Sequence, residues 1–66
     1  MENHIKTLRG EKKWTQEQFA QKLDVSRQTV IALERGRYDP SLPLAFKIAH
    51  VFDLKIEDIF IYDATK

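Results

Sequence analysis

TQEQFAQKLDVSRQTVIALERGRYDPSL, residues 15 to 42, holds two short helical patterns on either side of a tight turn. Thr15 followed by Gln18 is a capping box: the threonine hydroxyl accepts from the third helical N–H and the glutamine side chain reaches back to the cap. The helix opened there runs from Gln16 to Leu23 and buries Phe19, Ala20 and Leu23. Asp24 and Val25 turn the chain. Ser26 is a good N-cap for the next helix, Arg27 to about Arg35, whose apolar positions Val30 and Leu33 define a buried face. Gly36 supplies the left-handed residue that stops it. Ala20 is small where the second helix must cross the first, and a larger side chain there would push the two apart.

Working outward, a helix is predicted upstream from about Asn3 to Lys12. Ile5 and Leu8 form its apolar pair, and Lys6, Arg9, Lys12 and Lys13 face mostly outward. Gly10 weakens that helix by roughly 1 kcal/mol relative to alanine, so its stability must come from packing. Trp14 stands just before the capping threonine, at the hydrophobic-staple position, and is expected to pack near Phe19. Downstream, the loop Arg37-Tyr38-Asp39-Pro40 leads to Ser41, the cap of a fourth helix with Pro43 in its first turn. Leu42, Ala45, Ile48, Ala49 and Phe52 repeat at helical spacing toward the core. A last turn, Ile56 to Phe60, carries Ile56, Ile59 and Phe60. The tail Phe60-Ile61-Tyr62 is β-prone and can pair with Met1 to Asn3 as a short two-stranded ribbon. The expectation is an all-α domain spanning residues 1 to 66, a bundle of five short helices around a central helix-turn-helix.

Composition narrows the function. Sixty-six residues sit near the lower limit for folding without a disulfide or a metal, which leaves little chain for a closed catalytic pocket. There is no cysteine, hence no disulfide, thiolate metal site or thiol nucleophile, and His4 and His50 match no metal-ligand spacing. No glycine-rich phosphate loop is present, and Ser26 and Ser41 are better read as helix caps than as nucleophiles. These features argue against an enzyme, a metal and a cofactor. Nothing marks a small-molecule site. No apolar stretch resembles a secretory signal or a membrane span, so a cytoplasmic protein is expected. Net charge is only +1, but residues 1 to 37 carry +3 and residues 38 to 66 carry −2. The basic surplus lies with the paired helices, as a polyanionic partner requires.

With its flanking helices, Thr15 to Leu42 resembles the helix-turn-helix of the phage-repressor and Cro-like family, also called the XRE family. The likeness covers nearly the whole chain and is strongest to the family's short, stand-alone bacterial regulators. It implies the lambda-repressor-like fold and binding of operator DNA as a two-fold dimer. One departure is Asp24, where many members have glycine. Aspartate tolerates the left-handed region better than most residues, so the turn is expected to survive with slight strain.

If the second helix of the motif lies in the major groove, Arg27 and Gln28 reach base edges, with Thr29 beside them. Arginine can donate two bonds to guanine and glutamine can pair bidentately with adenine. Ala32, one turn on, is small enough to let the helix approach. Gln16 opens the preceding helix, where free N–H groups suit a phosphate, and the resemblance implies a side-chain contact as well. It further implies that Arg35, Arg37 and Tyr38 grip phosphates beside the groove. Arg9 and Glu34 occupy positions that in the family form an ion pair, with the arginine also near a phosphate. For the basic loop, and for Arg27 and Gln28, the competing reading is an ordinary solvated surface.

Leu54, Ile56, Ile59, Phe60, Ile61 and Tyr62 make an apolar cluster larger than so small a core readily absorbs. It is read as the surface of a homodimer, which would set two recognition helices about 34 Å apart. The alternative is that it closes the monomer core. The functional expectation is a transcriptional regulator, by default a repressor on a palindromic operator in double-stranded DNA. The competing class is an antitoxin-like module that covers a protein partner and binds DNA secondarily; the pattern shows no extra disordered tail to do the covering.

Overall fold

The computed structural model describes residues 1–62, in which five helices follow one another: α1 (Ile5–Glu11), α2 (Gln16–Leu23), α3 (Arg27–Glu34), α4 (Leu42–Phe52) and α5 (Ile56–Ile59). Local chemistry explains most of the starts. Thr15 Oγ1 accepts from the Gln18 N–H at 3.0 Å while Gln18 Oε1 accepts from the Thr15 N–H at 2.8 Å, so the predicted capping box is complete. Ser26 and Ser41 cap α3 and α4 through the N–H groups of Thr29 and Leu44. Helix α1 begins two residues later than predicted, because the Asn3 backbone is extended and its side chain accepts from the Ile5 N–H at 3.0 Å.

The ends of α1 to α4 share one device. After each helix a residue of positive φ carries an N–H bonded three residues back, and the next residue's N–H bonds five residues back, the Schellman arrangement. The left-handed residue is Gly36 after α3 (φ 72°), but Lys13, Asp24 and Asp53 elsewhere (φ 60°, 58° and 55°). Asp24 thus makes the turn of the motif in the left-handed conformation that glycine would adopt without strain.

The core is a single apolar cluster. Ile5 from α1, Phe19, Ala20 and Leu23 from α2, and Val30 and Leu33 from α3 meet Ala45, Ile48, Ala49 and Phe52 from α4. Ile59 and Phe60 close it from the C-terminal side. Trp14 leans on this cluster, its ring 5.7 Å from Phe52 and 6.2 Å from Phe19, with Lys22 Nζ 4.7 Å from the centre of the same ring. Each buried large side chain contributes on the order of 1.5–3 kcal/mol, so the two helices of the motif are held chiefly by each other, with α4 and the aromatic stack supporting α2 and α1 supporting α3.

Leu42 departs from its expected place. It is 64% exposed, because it opens α4 beyond the edge of the core that Ala45 and Ala49 reach one and two turns later. The chain ends do meet, but over one antiparallel bridge, Asn3 with Phe60. The bonds that flank it run from the His4 N–H to the Ile59 carbonyl (2.8 Å) and from the Ile61 N–H to the Glu2 carbonyl (2.9 Å).

Candidate nucleic-acid interface

Helix α3 is seated on the core by Val30 and Leu33, both fully buried, which turns its opposite face outward. Arg27 and Gln28 lie exposed in the first turn of that face, and Ile31 and Ala32 are half-buried one turn later. Thr29 is half-buried and its hydroxyl lies 3.0 Å from Ser26 Oγ, so that group is occupied at the helix start. The outward position of the first turn follows from the serine cap, which fixes where the helix begins and therefore which residues come first.

Gln16 occupies the first position of α2, and its side chain donates to Glu34 Oε1 at 3.2 Å. The same carboxylate receives Arg9: Nε lies 2.6 Å from Oε2 and one terminal nitrogen 3.2 Å from Oε1. The other terminal nitrogen of Arg9 donates to the Trp14 carbonyl at 2.8 Å. Glu34 therefore neutralises Arg9 and orients both Arg9 and Gln16.

Two shallow grooves meet on this side. Arg9, Thr15, Gln16, Glu17 and Arg27 line one; Lys6, Gln16, Arg27, Ile31, Glu34 and Arg35 line the other. Gln16 and Arg27 belong to both, so α1, the start of α2 and the face of α3 form one continuous basic surface. Among the described residues Lys6, Arg27, Arg35 and Arg37 form no ion pair, which leaves four positive charges open to an anion. Arg37 and Tyr38 are exposed in the loop that follows the Gly36 stop, and the Asn3 side chain donates to the Leu33 carbonyl at 2.8 Å beneath it.

The family model for the helix-turn-helix matches residues 5–59. The chain belongs to the XRE-type helix-turn-helix family. An uncharacterised HTH-type transcriptional regulator of Methanocaldococcus jannaschii is 62% identical over 63 residues, covering 96% of each chain. The immunity repressor protein of Bacillus phage phi105 is 38% identical over 55 residues, which are 83% of this chain and 38% of the phage protein. Among solved structures, a hypothetical transcription factor from Neisseria superposes with a TM-score of 0.76 at 27% identity, over 83% of this chain and 62% of that longer one. In coarse terms this member of the XRE-type family is a DNA-binding transcription regulator whose described residues form five helices.

Two parts of this family member's surface differ from the sequence reading. Ile59 and Phe60 are 0% and 7% exposed, buried in the chain's own core, so they cannot serve as partner contacts in this conformation. The reason is that α5 packs back on α4 while the Ile59 carbonyl accepts from the His4 N–H, a use of the apolar cluster that periodicity cannot separate from a surface. Ile56 is half-buried against the core, whereas Leu54, Ile61 and Tyr62 remain exposed and are joined by Leu42 and by Phe46, which is 58% exposed. Sequence reasoning also missed Lys6 and Ile31 as neighbours of Arg27. The contact between α1 and α3 is tertiary; the only hint was that Lys6 lies one turn before Arg9 on the same face.

Proposed function

We propose that this chain is a sequence-specific repressor that binds a palindromic operator as a homodimer, with α3 in the major groove. Arg27, Gln28, Thr29 and Ala32 read bases, Thr29 through its methyl because its hydroxyl serves the cap. Gln16, Arg9, Lys6, Arg35, Arg37 and Tyr38 hold phosphates along the rims. The observation that carries this reading is the joint placement of Arg27 and Gln28, exposed in the first turn of a helix whose other face is locked into the core, with Arg27 lining both grooves of the basic surface. A repressor is favoured by the kinship with a phage immunity repressor.

The homodimer is supported by the apolar side chains left open to solvent, Leu42, Phe46, Leu54, Ile61 and Tyr62, on a chain this small. A two-fold pair would present its recognition helices to successive major-groove faces about 34 Å apart. Selection from a random duplex library at about 150 mM salt tests the whole reading. A palindrome with half-sites about 10 bp apart supports it. Folded protein that enriches no sequence rejects it, in favour of a regulator that works through a protein partner.

A further inference from the structure

Arg27, Ile31 and Arg35 follow one another at four-residue intervals and so form one stripe along α3 and its C-cap. All three line the groove whose far side is closed by Lys6 of α1. The stripe is basic at both ends and apolar in the middle. Leu8, Trp14, Val25, Leu44, Val51 and Ile56 are partly buried apolar residues that pack onto the core, but Ile31 is not one of that set. Core packing therefore does not account for it. Helix propensity does not either, since a β-branched residue is slightly worse within a helix than lysine or glutamine, and Ile31 is only half-buried.

We infer that Ile31 is a specificity-determining residue that contacts the C5-methyl group of a thymine in each operator half-site. This rests on the operator-binding reading above and adds an apolar contact to a stripe whose other members are arginines. In the major groove only thymine presents a methyl group, and apolar side chains are what recognise it. The flanking charges suit the placement: Lys6 and Arg35 face the phosphates at the rim, and Arg27 faces the neighbouring base edge. Ile31 lies one turn from Arg27, about 6 Å along the axis at 1.5 Å per residue. Base pairs are stacked about 3.4 Å apart, so the thymine falls within about two base pairs of the one Arg27 reads.

The experiment uses the operator enriched by library selection and a series of duplexes in which each thymine in turn is replaced by deoxyuridine. That change removes the methyl group and leaves every hydrogen-bonding group in place. Wild-type protein is expected to bind about fourfold more weakly when one particular thymine per half-site, close to the base sensitive to Arg27→Ala, is replaced. Ile31→Ala should bind the thymine and uridine forms of that position equally, and Ile31→Val should keep part of the discrimination. The inference is overturned if wild type is indifferent to every replacement, or if Ile31→Ala remains as sensitive as wild type. Thermal midpoints of the variants separate a lost contact from a lost fold, and the wild-type uridine series decides the matter even if Ile31→Ala unfolds. Failure to enrich any operator would instead overturn the operator reading, and this inference with it.

Discussion

Arg9 and Glu34, twenty-five residues apart, form a two-pronged ion pair whose side chains are only 15% and 5% exposed. Because Arg9 also binds the Trp14 carbonyl and Glu34 also binds Gln16, the pair joins α1, the entrance of α2 and the end of α3. It sets the mutual position of the elements that make the basic surface.

Removing one partner takes from the other its charge-assisted hydrogen bonds in a part-buried site, a loss of about 1.5–3 kcal/mol. Glu34→Ala is therefore expected to lose much of the stability of so small a domain, and a paired Arg9→Met, Glu34→Leu variant to recover part of it. Urea unfolding measures both. A single-variant loss below about 1 kcal/mol would show that the pair is solvated and does not organise the surface.

The left-handed caps offer stabilising changes. Lys13→Gly and Asp53→Gly should each raise stability by about 1 kcal/mol, since a Cβ is strained at positive φ, and shift the melting midpoint up by about 4–8 °C. Gly36→Ala should act in the opposite sense: φ is 72° and the added Cβ would lie 3.4 Å from the Met1 carbonyl oxygen. Equal midpoints for wild type and all three variants would remove strain at these caps as a factor in stability.

Gly10 behaves differently from Gly36. It lies inside α1, and an alanine Cβ placed there would meet nothing within 4 Å beyond its own helix, so Gly10→Ala should stabilise by roughly 0.5–1 kcal/mol through helix propensity alone. Calorimetry that finds a loss would point to a contact the groove side of α1 does not display.

On DNA, Arg27→Ala should relax preference at one position of each half-site, whereas Arg37→Ala should weaken all sequences alike and flatten the salt dependence. Titrations of operator and scrambled duplexes at several salt concentrations distinguish them. The same response from both would erase the division between reading and gripping residues.

At the proposed dimer surface, Tyr62→Asp, on a side chain 80% exposed, is expected to give a folded monomer. Phe60→Asp, placing a charge where the side chain is 7% exposed, should unfold the chain instead. Sedimentation with circular dichroism reads both outcomes, and a folded dimer of the Tyr62→Asp variant would move the interface toward Leu42 and Phe46.

The motif was legible because its signals are local. A cap such as Thr15 with Gln18, a stop such as Gly36 and a small residue such as Ala20 act within a turn or two of themselves, and the structure uses each where it was read. The aromatic role of Trp14 was equally plain, since a staple position points inward by construction.

Other features depended on which surfaces meet. The apolar tail was read as one cluster, yet Ile59 and Phe60 went to the core while Ile61 and Tyr62 stayed outside. Hydrophobicity says that a side chain gains by leaving water but not whether its own chain or a second one takes it in. Leu42 shows the converse: its spacing fits the buried face of α4, but the core ends before it.

By itself, then, the sequence determined the helix boundaries to within a residue or two, the turn and the outward face of α3, because capping, backbone strain and periodicity are short-range. Only the tertiary structure decided that Lys6 and Ile31 share a groove with Arg27, that Glu34 binds Gln16 as well as Arg9, and that α5 closes the core. Those relationships join residues from separate helices, and their geometry exists only once the apolar faces of α1 to α5 have packed against one another.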